Sequence, residues 1–132
     1  MDKPMINKAA LVGIDTAYVP VTDKRRSTAW FVEHFGLVEQ GDHLMAGSQE
    51  LFLLESDETQ SSNFITRDWS ADEPGYVMPA LCFRTNDIAA LHEHAGRCGV
   101  RTDDLLEYGW FREFDFYDPD GNKFKVWQPK KG

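Results

Sequence analysis

The chain contains the same order of predicted elements twice, and this duplication limits its possible folds more than any other feature. Each half has a β-rich segment, then a helix that begins after an aspartate and ends at a glycine, and then further short strands. Asp23 and Gly36 delimit the first helix, and Asp87 and Gly99 delimit the second at nearly the same spacing. Aspartate is a favoured N-cap residue, and glycine commonly follows a last helical turn. The simplest interpretation is an α+β protein of two β-α-β-β-β modules.

The strand candidates set the boundaries of the two modules. Alternating apolar and polar residues predict a strand over 14–21, and three short strands follow the first helix. Residues 57–76 are polar, acidic and aperiodic, and we predict a linker there. We therefore expect a single domain, with module 1 over about 13–56 and module 2 over about 77–128. Each module should form a curved mixed sheet with its helix on the convex side.

The last hairpin, REFDFYDPDGNKFKVWQ, has two chemically different faces. The turn DPDGN separates its strands, because proline presets φ and glycine tolerates a positive φ. One face should pack against the apolar stripe of the second helix, which comprises Ile88, Leu91 and Ala95. The residues of that face are Phe114, Phe116, Phe124 and Val126. The charged and aromatic residues of the other face are Glu113, Asp115, Tyr117, Lys123, Lys125 and Trp127.

The charged face of this hairpin is expected to line a concave groove, because a face open to bulk water does not require aromatic side chains beside its charges. If the turn closes at residues 118 and 122, Asp115 stands opposite Lys125. Two interpretations of that pair remain open. It is either a cross-strand ion pair that fills the site, or a polar anchor for a ligand.

Composition excludes several classes of partner. The formal net charge is -8, whereas a nucleic-acid-binding surface needs a positive patch. No run of about 18 apolar residues is present to span a membrane. The start of the chain lacks the apolar run of a signal peptide. Cys82 and Cys98 form no CxxC motif, and we expect buried thiols in a reducing compartment. The predicted location is the cytoplasm.

Two motifs carry a family resemblance. The patterns V-x-D … W-F … F-G-L and R-E-F … Y-D-P-D-G-N together resemble the glyoxalase / bleomycin-resistance / dioxygenase superfamily, with the vicinal-oxygen-chelate fold. The resemblance covers roughly residues 13–128. It implies paired modules around a concave groove and assembly as a homodimer.

The metal enzymes of this family place one ligand on each of four strands, and the resemblance carries those positions over to Thr16, Glu55, Ala80 and Lys125. Threonine is a poor ligand, alanine is none, and a lysine ammonium repels a cation. Only Glu55 remains a plausible ligand. The resemblance therefore implies no metal and no other cofactor.

Two functions follow as expectations from this resemblance. The first is a metal-free protein that binds a small molecule, such as a cationic aromatic antibiotic. The alternative is a metal-dependent lyase, isomerase or dioxygenase. Because no Ser-His-Asp or Cys-His arrangement is legible, no catalytic residue is assigned and we favour binding over catalysis. Trp69 in the linker is a candidate lid. The predicted ligand-binding residues are Thr16, Tyr18, Glu55, Ala80, Trp110, Glu113, Asp115, Lys125 and Trp127.

Overall fold

The computed structural model describes residues 9–57, 63–68 and 76–130, in which two sheets and two helices share one apolar core. The elements are β1 (Thr16–Val21), α1 (Lys24–Phe35), β2 (Val38–Gln40), β3 (His43–Ala46), β4 (Gln49–Glu55), β5 (Phe64–Thr66), β6 (Tyr76–Met78), β7 (Cys82–Arg84), α2 (Ile88–Arg97), β8 (Leu106–Glu107), β9 (Phe111–Tyr117) and β10 (Lys123–Pro129).

The two modules have identical sheet topology. The strand order is β1-β4-β3-β2 in module 1 and β7-β10-β9-β8 in module 2. In each sheet the first and last strands of the module pair in parallel, and the remaining pairs are antiparallel. The predicted α+β fold of two β-α-β-β-β modules is therefore confirmed.

Both helices begin after the predicted aspartates, and α1 ends at the predicted Gly36, whereas α2 ends at Arg97 with Cys98 as its C-cap, just before the predicted Gly99. The side chain of Asp23 accepts a hydrogen bond from the backbone N–H of Arg26 at 3.0 Å. The side chain of Asp87 accepts one from Ala90 at 3.1 Å, so each aspartate satisfies a backbone donor that the first helical turn leaves unpaired. Gly36 ends α1 with φ 69°, in the left-handed conformation that glycine adopts without a steric penalty.

Helix α1 lies between the two sheets and ties them into one core. It packs against β4 and β2 of its own module. On the opposite side, the ring centroid of Phe31 lies 5.7 Å from that of Phe124, and the ring of Phe35 stacks on Phe116 at 4.1 Å. Each sheet therefore presents its apolar face to the same core. Its other face, called here the outer face, points away from the core.

The predicted apolar face of the last hairpin is confirmed. Phe114, Phe116, Phe124 and Val126 are each at most 1% exposed and lie in one cluster with Ile88, Leu91 and Ala95. Helix α2 packs against β9 and β10, as expected. The aromatic residues of α1 supply a second covering that the sequence analysis did not foresee.

The DPDGN turn joins the two modules. Asp120 in this turn accepts hydrogen bonds from the backbone N–H and the hydroxyl of Thr22, at 3.1 Å and 2.5 Å. Arg26 Nη2 donates to the same carboxylate at 2.9 Å. Asn122 Nδ2 donates to the carbonyl of Pro20 at 2.9 Å. The turn therefore holds the end of β1 and the start of α1 against module 2.

The predicted linker is not devoid of structure. Strand β5 lies within it and pairs antiparallel with β6, which begins at the last residue of the linker, so the two strands form a β5–β6 hairpin. Residue Trp69, the candidate lid, lies outside the described residues. The expectation of buried thiols is wrong, because Cys82 and Cys98 are both exposed and unpaired with each other. Neither described helix combines the length and apolar character needed to cross a lipid bilayer.

Substitution of Asp120 by alanine should lower the free energy of unfolding by about 1–3 kcal/mol, because it leaves donors of Thr22 without their acceptor. Burial alone would raise the pKa of Asp120, but the hydrogen bonds from Thr22 and Arg26 outweigh burial and lower the pKa. The ionised carboxylate therefore stabilises the fold above about pH 4, and this contribution is lost as the pH falls through the lowered pKa.

Urea denaturation at several pH values measures this contribution. The difference between the native protein and Asp120→Ala should be full at pH 7 and should shrink below about pH 4. Asp57→Ala, which removes an exposed carboxylate, is the control and should change stability little. A pH-independent difference would contradict the role given to the carboxylate.

Candidate functional site

A buried ion triad occupies the outer face of the module 2 sheet. Lys125 Nζ lies 2.9 Å from Glu113 Oε2 and 3.0 Å from Asp115 Oδ1. The three side chains are 5%, 3% and 9% exposed. Strand pairing places Lys125 directly opposite Asp115, as the sequence predicts. The structure adds Glu113 as a second carboxylate and shows that the group is withdrawn from water.

Lys125 contributes a fixed positive charge to the triad. Burial alone would lower the pKa of Lys125, but the hydrogen bonds and charges of Glu113 and Asp115 together raise it above its ordinary value. The lysine therefore stays an ammonium. It stands at one of the positions where the family's metal enzymes carry a ligand, and it already occupies both neighbouring carboxylates. The residues present do not fit a divalent cation.

The β5–β6 hairpin covers part of this face. The side chain of Asn63 exchanges two hydrogen bonds with the backbone of Lys123, at 2.8 Å and 2.9 Å. Lys123 Nζ donates to the carbonyl of Val77 at 3.0 Å. Tyr76 donates its hydroxyl hydrogen to Asp115 Oδ2 at 3.3 Å. These contacts shield the triad from water. The aperiodic sequence of the linker did not predict them.

An acidic cavity of about 670 Å³ lies beside the triad and the hairpin. Its charged lining has four carboxylates and one ammonium. Tyr117, the last residue of β9, donates its hydroxyl hydrogen to Asp103 Oδ2 at 2.9 Å. The guanidinium of Arg101 lies 4.1 Å from the centre of the Tyr117 ring. Burial and the carboxylate of Asp103 raise the pKa of Tyr117 to about 12. The lining residues are Tyr76, Thr102, Asp103, Asp104, Leu106, Tyr108, Glu113, Phe114, Asp115 and Lys123.

Two of the predicted aromatic walls come together at the far end of the same sheet. The ring centroids of Trp110 and Trp127 lie 5.8 Å apart, and Phe111 lies 6.1 Å from Trp127. Trp110 is 66% exposed, and strand pairing places Trp127 opposite Glu113 of the triad. The guanidinium of Arg84 lies 5.8 Å from the ring of Trp127. This arrangement forms a partly exposed aromatic platform beside the triad.

The outer face of module 1 carries a second aromatic patch. Tyr18 is 62% exposed, and its ring centroid lies 6.2 Å from that of Phe52. His43 packs on Phe52 at 5.1 Å, and its Nε2 lies 3.1 Å from Glu50 Oε1. Thr16 donates its hydroxyl hydrogen to the carbonyl of Glu50 at 3.4 Å. The sequence predicted Tyr18 and Thr16 for this face but not their neighbours, although alternation along ELFLLE puts Glu50 and Phe52 on a common face.

Two predicted site residues lie elsewhere. Glu55 shares the parity of the buried Leu51 and Leu53, and its Oε2 accepts a hydrogen bond from the backbone of Lys24 at 3.0 Å. It therefore points to the start of α1 and not to the outer face. Ala80 lies exposed in the bend between β6 and β7, because the predicted long strand is interrupted before Cys82. Within the described part of the chain, no three His, Cys, Asp or Glu residues are arranged to hold a metal ion.

The two outer faces do not meet within one chain. Thr16 and Tyr18 lie on the module 1 face, whereas Lys125 and Trp127 lie on the module 2 face, and the shared core separates the two sheets. A groove that uses both faces therefore requires a second copy of the chain.

A further cavity of about 720 Å³ lies on the apolar side, between the two modules. Residues of β1, α1, β4, β7 and α2 line it, together with Ile14 before β1 and Leu81 before β7. The segment that leads into it exposes Leu11 and Val12 almost completely. This cavity has few charged groups, so it differs in chemistry from the acidic cavity on the outer face.

Replacement of Lys125 by methionine should lower the free energy of unfolding by about 3–5 kcal/mol, because two buried carboxylates lose their counter-ion. The triple variant Glu113→Gln, Asp115→Asn, Lys125→Met should recover most of this loss. Lys130→Met removes a more exposed ion pair with Glu107 and should cost less than about 1 kcal/mol. Urea denaturation measures all three, and a cost for Lys125→Met as small as that of Lys130→Met would contradict the buried triad.

Comparison with known proteins places this geometry in a family. The family model for the Glyoxalase/Bleomycin resistance protein/Dioxygenase superfamily matches residues 13–126. None of the curated proteins compared with the chain is significantly similar to it.

Several solved structures share the fold. TnmS3, an antibiotic binding protein from Streptomyces sp. CB03234, is 23% identical over 92% of this chain and 99% of its own, with a TM-score of 0.67. The fosfomycin resistance protein FosX from Listeria monocytogenes is 17% identical over 92% of this chain and 96% of its own, with a TM-score of 0.70. Sequence identities this low establish only a shared fold. The family model, by contrast, matches nearly the whole chain and establishes membership of the family. The chain therefore belongs to the glyoxalase/bleomycin resistance protein/dioxygenase superfamily.

Proposed function

We propose that this protein binds a flat, positively charged aromatic molecule without a metal, in a groove that two copies of the chain form together. The observation that carries this proposal is the ammonium of Lys125 between Glu113 and Asp115. It fills a position from which the family's metal enzymes bind their ion. The outer face therefore offers charge, aromatic surface and volume, but no coordination site.

The aromatic platform and the acidic cavity define the class of ligand. Trp110 and Trp127 present ring surface on which a planar molecule can stack, and a cation is attracted to such rings. Glu113 Oε2 and Asp115 Oδ1 already contact Lys125, whereas Asp115 Oδ2 faces Tyr76 and Lys123 at the edge of the cavity. The carboxylates of Asp103 and Asp104 extend the negative lining of the cavity and favour a cation.

Two structural relatives support small-molecule binding as the function. TnmS3 is described as an antibiotic binding protein, and FosX as a fosfomycin resistance protein. Both share this fold over more than nine-tenths of the chain. An antibiotic or a similar natural product is therefore the ligand class that we propose for this protein.

The arrangement of the two modules supports a homodimer. Each outer face points away from the shared core, so a second copy is needed to place Tyr18 of one chain opposite Trp127 of another. The apolar cavity between the modules and the exposed Leu11, Val12 and Ile14 offer a surface for that copy. Two free, exposed cysteines suit a reducing compartment, and we propose the cytoplasm as the location.

The alternative, a metal-dependent lyase, isomerase or dioxygenase, has less support. It requires several oxygen or nitrogen ligands around one open coordination position. Glu55, the one ligand candidate from the sequence, faces the start of α1. No described residue group favours this function over binding.

Proflavine, a flat tricyclic cation, should quench tryptophan fluorescence on binding, whereas fluorescein, a tricyclic anion, should not. Trp127→Ala should weaken proflavine binding by roughly tenfold, because a stacked cation loses a contact of about 1 kcal/mol or more. Val32→Ala, on the helix side, is the control and should leave the affinity unchanged. Equal affinity of the native protein and Trp127→Ala, or a stoichiometric metal ion in the purified protein, would refute the proposal.

Light scattering should give twice the chain mass of 15.1 kDa at micromolar concentration, since an interface of standard size commonly holds there. Ile14→Asp should shift the protein towards the monomer, because it places a charge beside the apolar cavity. A native protein that is monomeric under these conditions would contradict the shared groove.

A further inference from the structure

Lys123 places its ammonium in a site made of three different kinds of group. Its Nζ lies 4.4 Å from the centre of the Tyr76 ring and 3.5 Å from Asp115 Oδ2. It also donates to the carbonyl oxygen of Val77 at 3.0 Å. The side chain is 11% exposed and lines the acidic cavity. The ring, the carboxylate and the carbonyl together therefore form a cation-binding pocket at the edge of the acidic cavity, and the Lys123 ammonium fills it.

These three groups match the needs of a primary ammonium ion. An ammonium has three N–H donors and no acceptor, so a carboxylate and a carbonyl satisfy two donors while the ring face attracts the charge. Lys125, by contrast, donates hydrogen bonds to two carboxylates, those of Glu113 and Asp115. The long stem of Lys123 leaves its ammonium able to turn towards water.

We propose that this pocket is a subsite for a primary ammonium group of the ligand, and that the ammonium of Lys123 occupies it until the ligand arrives. This inference rests on the proposed function, and it specifies the chemical group that the site recognises. The residues that hold the group are Tyr76, Val77 through its carbonyl, and Asp115.

Exchange of one ammonium for another keeps the site neutralised throughout. Glu113 and Asp115 carry two negative charges, and Lys125 supplies only one positive charge, so this nearly buried group is neutralised only when a second cation is present. A ligand ammonium that replaces Lys123 leaves the charge at the site unchanged. A neutral or anionic ligand leaves a deficit of positive charge, so Lys123 excludes such molecules from the subsite. Asp103 and Asp104 line the same cavity and attract the incoming cation.

The test removes the internal ammonium and supplies an external one. Lys123→Ala deletes the atoms that n-propylammonium contains, so this ion should bind in the space that the variant opens. At a concentration well above its Kd, n-propylammonium chloride should raise the Tm of Lys123→Ala by at least about 2 °C. Sodium chloride at equal ionic strength and 1-propanol at equal concentration should not.

The controls separate this rescue from a general salt effect. The native protein should show no specific rise, because Lys123 fills the site. Lys130→Ala removes a lysine whose ion pair with Glu107 is more exposed, and this variant should also show no specific rise in Tm. If n-propylammonium affects Lys123→Ala no more than it affects Lys130→Ala, the subsite is refuted.

A second comparison applies if Lys123→Ala does not fold. Lys123→Arg keeps a cation in the pocket and should hold the Tm near that of the native protein, whereas Lys123→Met should lower it. Equal Tm values for these two variants would overturn the inference. Because n-propylammonium is not aromatic, a failed rescue with intact proflavine binding rejects the subsite alone. Successful rescue without proflavine binding rejects the proposed function alone.

Discussion

The packing of α1 between the two sheets is the constraint on which the rest of the structure depends. Phe31 and Phe35 contact Phe124 and Phe116 of module 2, while the same helix covers β4 and β2 of module 1. Both sheets must therefore turn their apolar faces inward and their outer faces apart. The DPDGN turn fixes this arrangement through Asp120. A groove that needs both outer faces is consequently incomplete in a single chain.

The buried ion triad is the main chemical feature of the outer face of module 2. Removal of three charged groups from water is costly, and a well-packed apolar cluster would commonly be at least as stable. Stability alone therefore gives no reason to prefer Lys125 between two carboxylates over apolar side chains at this position. The Lys125 ammonium stands where the family resemblance assigns a metal ligand, and it offsets one of the two carboxylate charges. In the proposed function, ligand recognition depends on the aromatic platform and on the acidic cavity beside the β5–β6 hairpin.

Local patterns in the sequence were sufficient to predict most of the fold but only part of the site. The caps at Asp23 and Asp87 and the alternation of the last hairpin predicted the elements, because these features act over a few residues. Glu55 was misplaced because its position came from the family resemblance, whereas alternation along β4 puts it on the side of the buried Leu51 and Leu53. The cover over Lys123 was missed because it depends on tertiary contacts from a segment without periodicity. The contact between Tyr18 and Phe52 was missed because it depends on the pairing of β1 with β4, which are distant in sequence.

Complementation between two variants tests most directly whether the groove is shared between copies. Tyr18→Ala damages the module 1 face, and Trp127→Ala damages the module 2 face, so each variant alone should bind proflavine weakly. After unfolding and refolding together, heterodimers should contain one groove with both native faces. If the subunits mix randomly, full-affinity binding should return in roughly a quarter of the grooves. A mixture that binds no better than the two separate variants would contradict the account.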